Sequence, residues 1–228
     1  MPAPGQFILN KQVIPSELRS REWEAARVDY WRMERAFVMA GKVRFEDAQA
    51  CRNAAAALAN GKVSLIEARR AVREELERAG YRPTPGTAGT IKDIYTPRRL
   101  DVTLKTNVNM ARGYAEKNRL TGNAMYPASE LHRNRQSREP RDWQMRWNEA
   151  AASVNYEGVA RDGSFIALND SPIWAALSRW RTPYPPFDYG SGMWWRPVKW
   201  RVAEQKGLVQ DEDMERIESQ RPESFNHD

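Results

Sequence analysis

Arginines are concentrated in a short stretch of the second half of the chain. They are Arg133, Arg135, Arg138, Arg141 and Arg146. A guanidinium group presents a planar set of donors that matches phosphate and carboxylate oxygens, so arginines at this density can clamp phosphates. This stretch is therefore a candidate contact with nucleic acid or with a protein partner.

A second basic stretch follows downstream and interleaves with tryptophan. Its members are Arg179, Trp180, Arg181, Trp194, Trp195, Arg196, Lys199, Trp200 and Arg201. Aromatic faces beside cations suit both stacking on bases and the hot spots of protein interfaces. From this stretch we add four residues to the candidate contacts, namely Arg181, Trp194, Trp195 and Arg196.

A competing interpretation, which we favour, assigns the tryptophans to the core and the arginines to a solvated rim or to ion pairs with the acidic C-terminal segment. The salt dependence of binding distinguishes a contact with phosphates from a contact with a protein. Phosphate binding predicts a steep loss of affinity as salt rises, whereas an interface centred on tryptophan predicts a weaker dependence.

Residues that could support catalysis are few. The sequence contains no glycine-rich phosphate loop, no serine elbow and no pairing of cysteine with histidine. The acid–base candidates are residues that are common on any protein surface, namely His132, Glu139, Asp142, Asp170 and Asp188.

Metal ligands are also scarce, because Cys51 is the single cysteine and the two histidines, His132 and His227, are far apart in the chain. We predict a protein that is not an enzyme and that has no cofactor and no metal site.

Composition sets wider limits. The chain has 228 residues, of which 41% are hydrophobic, and a formal net charge of +6. It is long enough for one sizeable domain or two small ones, and its basic excess permits contact with nucleic acid or an acidic protein. No apolar stretch reaches about 18 residues, so we expect no membrane partner. Residues 1–14 lack the pattern of a secretory signal, so we expect a reducing cytoplasm.

The first half is predicted to be helical. Residues 45–60 are rich in alanine and stop before Gly61, and Ser64 with Glu67 forms a capping box that opens a helix stopped by Gly80. An earlier helix is predicted over residues 20–37, with apolar residues at spacings of three and four: Trp23, Ala26, Tyr30, Met33 and Phe37.

Residues 82–89 are rich in proline and glycine and predict a loop where one subdomain could end. Thr96 and Pro97 then open a long helix that Gly122 can terminate near residue 120.

After Gly122 the sequence predicts a small mixed lobe. Strands are expected at residues 126–132 and 193–202, the second ending early or lying at an edge because of Pro197, and a helix is expected at residues 140–152. We therefore predict an α+β fold, in which a helical N-terminal half precedes a small lobe with short antiparallel strands. Its regions are residues 1–90, residues 91–203, and an acidic tail at 204–228 with one short helix at 212–217.

Several segments together resemble the Mu F-like minor head protein family, also called the phage head-morphogenesis family. In the helical half these are Arg35 to Gly41 with the alanine-rich helix after it, Asn60-Gly61, Leu76 to Tyr81, and Thr106 to Tyr114 with its Thr106-Asn107 pair. Near the C-terminus, Ala167 to Trp174 and Pro183 to Met193 resemble the family's Pro-Trp segment and its Tyr-Pro-Pro motif.

We interpret these motifs as determinants of the fold and not as an active site. Adjacent prolines fix an extended path, aromatic rings anchor it, and glycines permit turns. The motif residues are Thr106, Asn107, Trp174, Tyr184, Pro185, Pro186, Gly190 and Gly192.

The chain departs from the commonest family pattern at two places. Many members have an acidic-Arg-Thr-x-Pro-Glu-His stretch and a Cys-Arg-Cys motif, where this chain has residues 137–143 and 192–196 without those histidines and cysteines. No metal or redox role carries over from those positions.

The resemblance implies a minor capsid protein of a tailed bacteriophage. Such a protein would associate with the portal, the major capsid protein or the inner capsid shell during head assembly, and could contact packaged double-stranded DNA. It would act in the host cytoplasm during assembly and in the virion head. Two alternatives stay open: a DNA-binding protein carried in the virion with the genome, and a virion-associated enzyme such as a nuclease or transferase.

Overall fold

The computed structural model describes residues 3–14, 34–39, 44–90, 92–135, 141–156 and 164–222. Contacts divide the chain into an N-terminal unit, Pro2–Arg112, and a C-terminal unit that contains Gly113–Asp228. Helices dominate the first half and a three-stranded antiparallel sheet lies in the second, which confirms the α+β fold class.

The division between the two units falls inside the long helix Pro97–Leu120, whereas the sequence predicted boundaries near residues 90 and 203. The loop before that helix belongs to the N-terminal unit because Asp93 and Ile94 are both buried there. The Tyr81 hydroxyl donates to the Asp93 carboxylate at 3.2 Å, and the Gly89 amide donates to the same carboxylate at 2.9 Å.

The N-terminal unit combines helices with a two-stranded parallel sheet. Its elements include α1 (Pro4–Leu9), β1 (Gln12–Ile14), β2 (Ala36–Val38), α2 (Phe45–Ala59), α3 (Leu65–Arg78) and the first part of α4 (Pro97–Leu120).

Local signals explain where these helices begin and end. The Glu67 amide donates to Ser64 Oγ at 3.3 Å and the Ser64 amide donates to Glu67 Oε2 at 2.6 Å, so the predicted capping box opens α3. Gly80 follows α3 with φ +67, the left-handed conformation that glycine adopts without steric cost. The predicted helices at residues 45–60, at 64–80 and from Pro97 to residue 120 are confirmed.

The core of this unit is built largely from small and aliphatic side chains. It includes Ala48, Ala54, Ala55, Ala56, Ala68, Val72, Leu76, Leu100 and Leu104. Alanine lets helices approach closely, and Gly5 takes this further, because a Cβ there would collide with Asn60 and with the Ala56 carbonyl.

The predicted helix at residues 20–37 is wrong at its C-terminal end. Ala36–Val38 is a strand paired in parallel with Gln12–Ile14, so that Phe37 lies opposite Val13. Phe37 is buried as predicted, but in a sheet. A run of three apolar residues fits a buried strand as well as a helix, and its pairing partner is far away in sequence. Residues 15–33 lie outside the described part of the chain.

The C-terminal unit contains the end of α4 and an antiparallel sheet with the strand order β4-β3-β5. Its further elements are β3 (Ala128–Arg133), α5 (Trp143–Ser153), β4 (Ile166–Leu168), α6 (Ile173–Leu177), β5 (Met193–Val198), α7 (Trp200–Gln205) and α8 (Asp213–Glu218).

The two faces of this sheet pack against different side chains. Leu131 and Trp195 lie opposite each other, and Trp195 packs against Trp174 with ring centroids 5.2 Å apart. On the alternate face Ala128 and Val198 lie opposite each other. There they join a small aliphatic cluster that includes Ala203, Val209 and Ile217.

Two elements of the lobe begin or end at different residues in the structure than the sequence predicted. The strand predicted at residues 193–202 ends at Val198, and α7 begins at Trp200, whose amide donates to the Met125 carbonyl at 3.1 Å. Pro197 lies on the edge strand β5, as expected for a residue without an amide donor. The helix predicted at 140–152 begins at Trp143, because Asp142 Oδ1 accepts from the Met145 amide at 2.9 Å.

The acidic segment is more ordered than predicted. Its expected short helix is α8, but Val209 and Ile217 are buried, so residues 204–222 belong to the lobe and do not form a separate tail. Residues 223–228 lie outside the described part.

Candidate functional site

The segment Pro183 to Asp188 is anchored by buried rings. The Tyr184 ring meets the Tyr114 ring edge to face at 5.8 Å, and the Phe187 ring stacks on Trp174 at 5.7 Å. Gly113 allows the segment to approach α4, since a Cβ at that position would collide with the Pro185 carbonyl. These contacts fix the backbone from which the Asp188 side chain extends.

Asp188 is a buried carboxylate surrounded by three guanidinium groups. Its side chain is 1% exposed and its oxygens lie 3.2 Å from Arg141 Nε, 2.9 Å from Arg146 Nη2 and 3.4 Å from Arg179 Nη1. Its Oδ1 also accepts from the Tyr189 amide at 2.7 Å. We call Asp188 with these three arginines the Asp188 cluster.

Aromatic rings and the backbone further restrict the arginines. The Arg146 guanidinium lies 5.0 Å from the Trp143 ring centroid and the Arg179 guanidinium lies 5.4 Å from the Tyr189 ring centroid. Arg141 Nη2 donates to the Tyr189 carbonyl at 2.9 Å. Because cations are attracted to aromatic faces, these contacts hold the guanidinium groups in fixed orientations.

The arginines of the Asp188 cluster are only partly buried. The side chains of Arg141, Arg146 and Arg179 remain 33%, 31% and 32% exposed, whereas the Asp188 side chain is 1% exposed. The carboxylate therefore lies inside the unit, while part of each guanidinium side chain is accessible to solvent.

The structure brings only some of the predicted contact residues into this cluster. Arg133 ends β3, and the amide of the exposed Arg135 donates to the Gly192 carbonyl at 3.2 Å. Arg181 is exposed and has φ 55. Arg196 instead pairs with Glu130 at 2.5 Å on the sheet surface. Arg138 lies outside the described residues.

Trp195 cannot be a surface contact and corrects the prediction. It is 4% exposed and packs against Trp174 and Phe187. Its neighbour Trp194 points to the opposite face of the sheet and is half-buried. Adjacent strand residues alternate in direction, so only one of the two can line the same surface.

The family-like motif residues occupy structural positions. Trp174, Tyr184, Pro185 and Pro186 are buried. Thr106 and Asn107 lie half-buried on α4. Gly190 and Gly192 have φ +57 and +69, and a Cβ at Gly192 would collide with the Arg135 carbonyl.

The acid–base candidates are dispersed. Asp142 caps α5, Asp170 lies 3.4 Å from Arg216, and His132 is half-buried on β3 opposite Trp194. Glu139 and His227 lie outside the described residues. Within the described ranges, no group of three or more His, Cys, Asp or Glu side chains is arranged to hold a metal ion. Burial raises the pKa of the Cys51 thiol to about 12.

Sequence reasoning missed the central role of Asp188. It grouped Asp188 with Asp170 and grouped Arg179 separately from Arg141 and Arg146. One signal was available: an aspartate inside the apolar, proline-rich segment from Pro183 to Tyr189 is a candidate for burial, and a buried carboxylate requires cationic partners.

A second basic surface lies in the N-terminal unit. A groove of about 530 Å³ is lined by Arg69, Arg70, Arg73, Glu74, Glu77 and Tyr95, among others. Arg69 Nε lies 3.4 Å from Asp101 Oδ1, and the Arg73 guanidinium lies 4.2 Å from the Tyr95 ring centroid. Glutamates and Asp101 compensate much of its charge locally, and this groove has no buried carboxylate that holds its arginines in place as Asp188 does, so the Asp188 cluster is the stronger candidate.

Comparison of the chain with protein-family models, with curated proteins and with solved structures finds no match. In the part of the chain that the structure describes, none of the helices combines the length and the apolar character needed to span a membrane.

Proposed function

We propose that this chain is a minor head-morphogenesis protein of a tailed bacteriophage, which binds the portal or the inner capsid shell during head assembly. It would act in the host cytoplasm during assembly and in the virion head. The observation that carries the proposal is the position of the segments that resemble the Mu F-like family. Trp174, Tyr184 and Phe187 are buried anchors of the C-terminal unit, which suits a structural role for these motifs.

An exposed apolar surface supports binding to a protein partner. Met125 is 67% exposed, and its carbonyl accepts from the amide of the half-buried Trp200, which lies two residues before the exposed Val202. Methionine and aromatic side chains are enriched in protein interfaces. The surface around Met125 and Trp200 is therefore the first place to test for portal or capsid binding.

The experiment is co-sedimentation of the purified chain with portal rings and with procapsids of a tailed bacteriophage. The wild-type chain should sediment with one of them. Met125→Lys should reduce the bound fraction, because a charge at an interface centre opposes desolvation. Met145→Lys is the matched control, since Met145 is 54% exposed on α5 and makes the same change in charge.

A chain that sediments with neither portal nor procapsid would overturn the proposal. If Met125→Lys and Met145→Lys reduce the bound fraction equally, the proposal that the chain binds portal or procapsid stands. The assignment of that binding to the Met125 surface is then refuted.

A second candidate is a DNA-binding protein that travels with the genome. The partly exposed Arg141 and Arg146 favour it, together with the exposed Arg135 and Arg181 in the same unit. Retention on duplex DNA without retention on portal or procapsid would support this candidate over the first.

A further inference from the structure

We propose that the groove of about 530 Å³ beside α3 binds the same groove of a second copy of this chain, with the two α3 helices side by side and antiparallel. Such a contact goes beyond a role in head assembly and does not depend on it. Three features support it: the order of charges on one face of α3, the contacts that hold those charges in place, and an exposed apolar side chain at the start of that face.

The groove residues from α3 share one face of the helix. They recur at spacings of three and four and are Ile66, Arg69, Arg70, Arg73, Glu74 and Glu77. Tyr95 and Pro97 complete the lining. Residues at these spacings are neighbours on a helix surface, so a second helix that lies along the groove contacts the whole row.

The charges in this row change sign along the helix. Arg70 and Arg73 come first, and Glu74 and Glu77 follow. In an antiparallel pair of helices, Arg70 lies opposite Glu77 of the second copy when Arg73 lies opposite Glu74, because the two pairs have the same midpoint in the sequence. A symmetric contact forms each of these ion pairs twice, so the surface is complementary to itself.

The charges of Arg70 and Glu74 are not paired on the chain itself. Within the described residues, the ion pairs of this helix involve Arg69 and Arg78, and neither Arg70 nor Glu74 takes part in one. The Glu67 carboxylate, which feels the charge of Arg70, is already held in the capping box that opens α3. Arg70 and Glu74 are therefore available to a second copy.

Contacts across the groove hold the other two charges in place. The Arg73 guanidinium lies 4.2 Å from the Tyr95 ring centroid, and the Tyr95 hydroxyl donates to the Glu77 carboxylate. Arg73 Nε is buried and has no hydrogen-bond acceptor, so the hydrogen-bonding capacity of this guanidinium is not filled. A carboxylate from Glu74 of the second copy would supply acceptors to a side chain that is already oriented, which lowers the entropic cost of binding.

An apolar contact lies at each end of the aligned helices. Ile66 begins the row and is 62% exposed. The alignment that pairs Arg70 with Glu77 sets Ile66 opposite Tyr81 of the second copy, a half-buried residue just after α3. Covering an exposed isoleucine removes apolar area from water, and this adds to ion pairs that are weak by themselves at a surface.

The alignment also brings one kind of like-charge pair together. Arg69 lies opposite Arg78 of the second copy. Arg69 Nε is 3.4 Å from Asp101 Oδ1, and Arg78 is paired with Glu75. Each of these guanidinium groups therefore has a carboxylate on its own chain, which reduces the repulsion between them.

The test is sedimentation velocity of the full chain, which distinguishes monomer from dimer by mass. The wild type should shift from monomer to dimer as its concentration rises from about 1 µM to about 500 µM at about 50 mM salt. The dimer should weaken at about 500 mM salt, because ion pairs at a surface are screened.

Arg70→Glu turns two attractions of the dimer into repulsions and should raise its dissociation constant by about tenfold or more. Glu77→Arg should do the same. An equimolar mixture of these two variants should recover the dimer, because opposite charges again face each other in the mixed pair. Arg112→Glu makes the same change in charge at an exposed position on α4 and should alter the dissociation constant by less than about twofold.

Glu74→Arg provides a variant that breaks no ion pair among the described residues. It should raise the dissociation constant by about tenfold, because the new cation faces Arg73 of the second copy. A mixture of Glu74→Arg with Arg70→Glu should not recover the dimer, since their reversed charges do not face each other in this alignment. Circular dichroism establishes which variants are folded, and the proposal is judged on those.

Loss of the dimer in Arg70→Glu and in Glu77→Arg, with recovery in their mixture, supports the antiparallel contact. The proposal fails if the wild type is monomeric at every concentration, if Arg112→Glu weakens the dimer as much as Arg70→Glu does, or if the mixture does not recover. A monomeric wild type whose co-sedimentation with procapsids depends on Arg70 would show instead that the groove binds another protein. A chain that dimerises but sediments with neither portal nor procapsid would contradict the proposed function alone.

Discussion

The two units of this protein bury different kinds of side chain. The N-terminal unit packs alanines against aliphatic residues such as Val72 and Leu76, whereas the C-terminal unit packs Trp147, Trp174 and Trp195 against one another. Small side chains bring helix axes close and give many weak contacts. Large aromatic rings bury a comparable apolar area with fewer residues. The stability of the C-terminal unit should therefore depend on fewer positions.

Two buried charges, one in each unit, have different surroundings. Asp188 in the C-terminal unit is paired with three arginines. Lys11 in the N-terminal unit is 3% exposed, and burial lowers its pKa from 10.5 to about 8, an effect that the Glu34 carboxylate partly opposes. Counter-charges stabilise the charged form of Asp188, whereas burial makes the charged form of Lys11 easier to lose.

The largest expected effect comes from a single ring of the aromatic core. Trp174→Ala should lower the free energy of unfolding by about 4 kcal/mol, because it removes a fully buried indole. It also removes the hydrogen bond from Trp174 Nε1 to the Leu168 carbonyl at 2.8 Å. In the N-terminal unit, Val72→Ala should cost about 2 kcal/mol. Urea denaturation followed by circular dichroism measures both.

Trp174→Phe controls for the indole hydrogen bond. It keeps a ring between Trp147 and Phe187 and should cost about 1–2 kcal/mol, because the Leu168 carbonyl loses its indole donor and keeps only the Ser171 amide. If Val72→Ala destabilised the protein as much as Trp174→Ala, the contrast between a distributed core and a concentrated core would be wrong.

The sequence predicts the helices of the N-terminal unit well because their determinants are local. Ser64, Glu67 and Gly80 lie within or next to the helix they delimit, and Thr96 with Pro97 acts over one turn. The prediction fails at Ala36–Val38, where the deciding interaction is pairing with Gln12–Ile14. The local pattern of apolar residues carries no information about a pairing partner that lies far away in the sequence.

The candidate site is harder to predict for the same reason. Arg141 and Arg146 are separated from Arg179 and Asp188 by more than thirty residues of chain, and only the fold brings them together. The direction of Trp194 and Trp195 depends on the register between β3 and β5. Composition indicated a basic and aromatic surface, but it could not separate surface residues from core residues.

A pH experiment sharpens the comparison of buried charge. Folded Lys11 loses its proton near pH 8 and the unfolded chain near pH 10.5. Between these values the unfolded chain binds more protons, so stability due to Lys11 rises with pH by about 1.4 kcal/mol per pH unit. Below pH 8 the full cost of burying the ammonium group is present.

Lys11→Met should remove this rise, so the stability difference between the variant and the wild type should change between pH 8 and pH 10.5 and be constant below pH 8. The raised pKa values of Cys51 and Tyr156 act in the opposite direction at high pH, but both residues are present in both proteins and cancel in the difference. A difference that does not vary with pH would mean that Lys11 stays protonated in the folded unit.

The smallest effects should be equal in the two units, because helix caps depend on local chemistry. Ser64→Ala should cost about 1 kcal/mol, since the Glu67 amide loses its acceptor, and Asp142→Ala should cost the same through the Met145 amide. Asp142→Asn keeps an oxygen acceptor while removing the charge, so it should change stability by only a few tenths of a kcal/mol. If it instead cost as much as Asp142→Ala, the charge of Asp142 beside Arg141 and Arg146 would be stabilising the Asp188 cluster. The contrast between the units would then extend from their cores to this helix terminus.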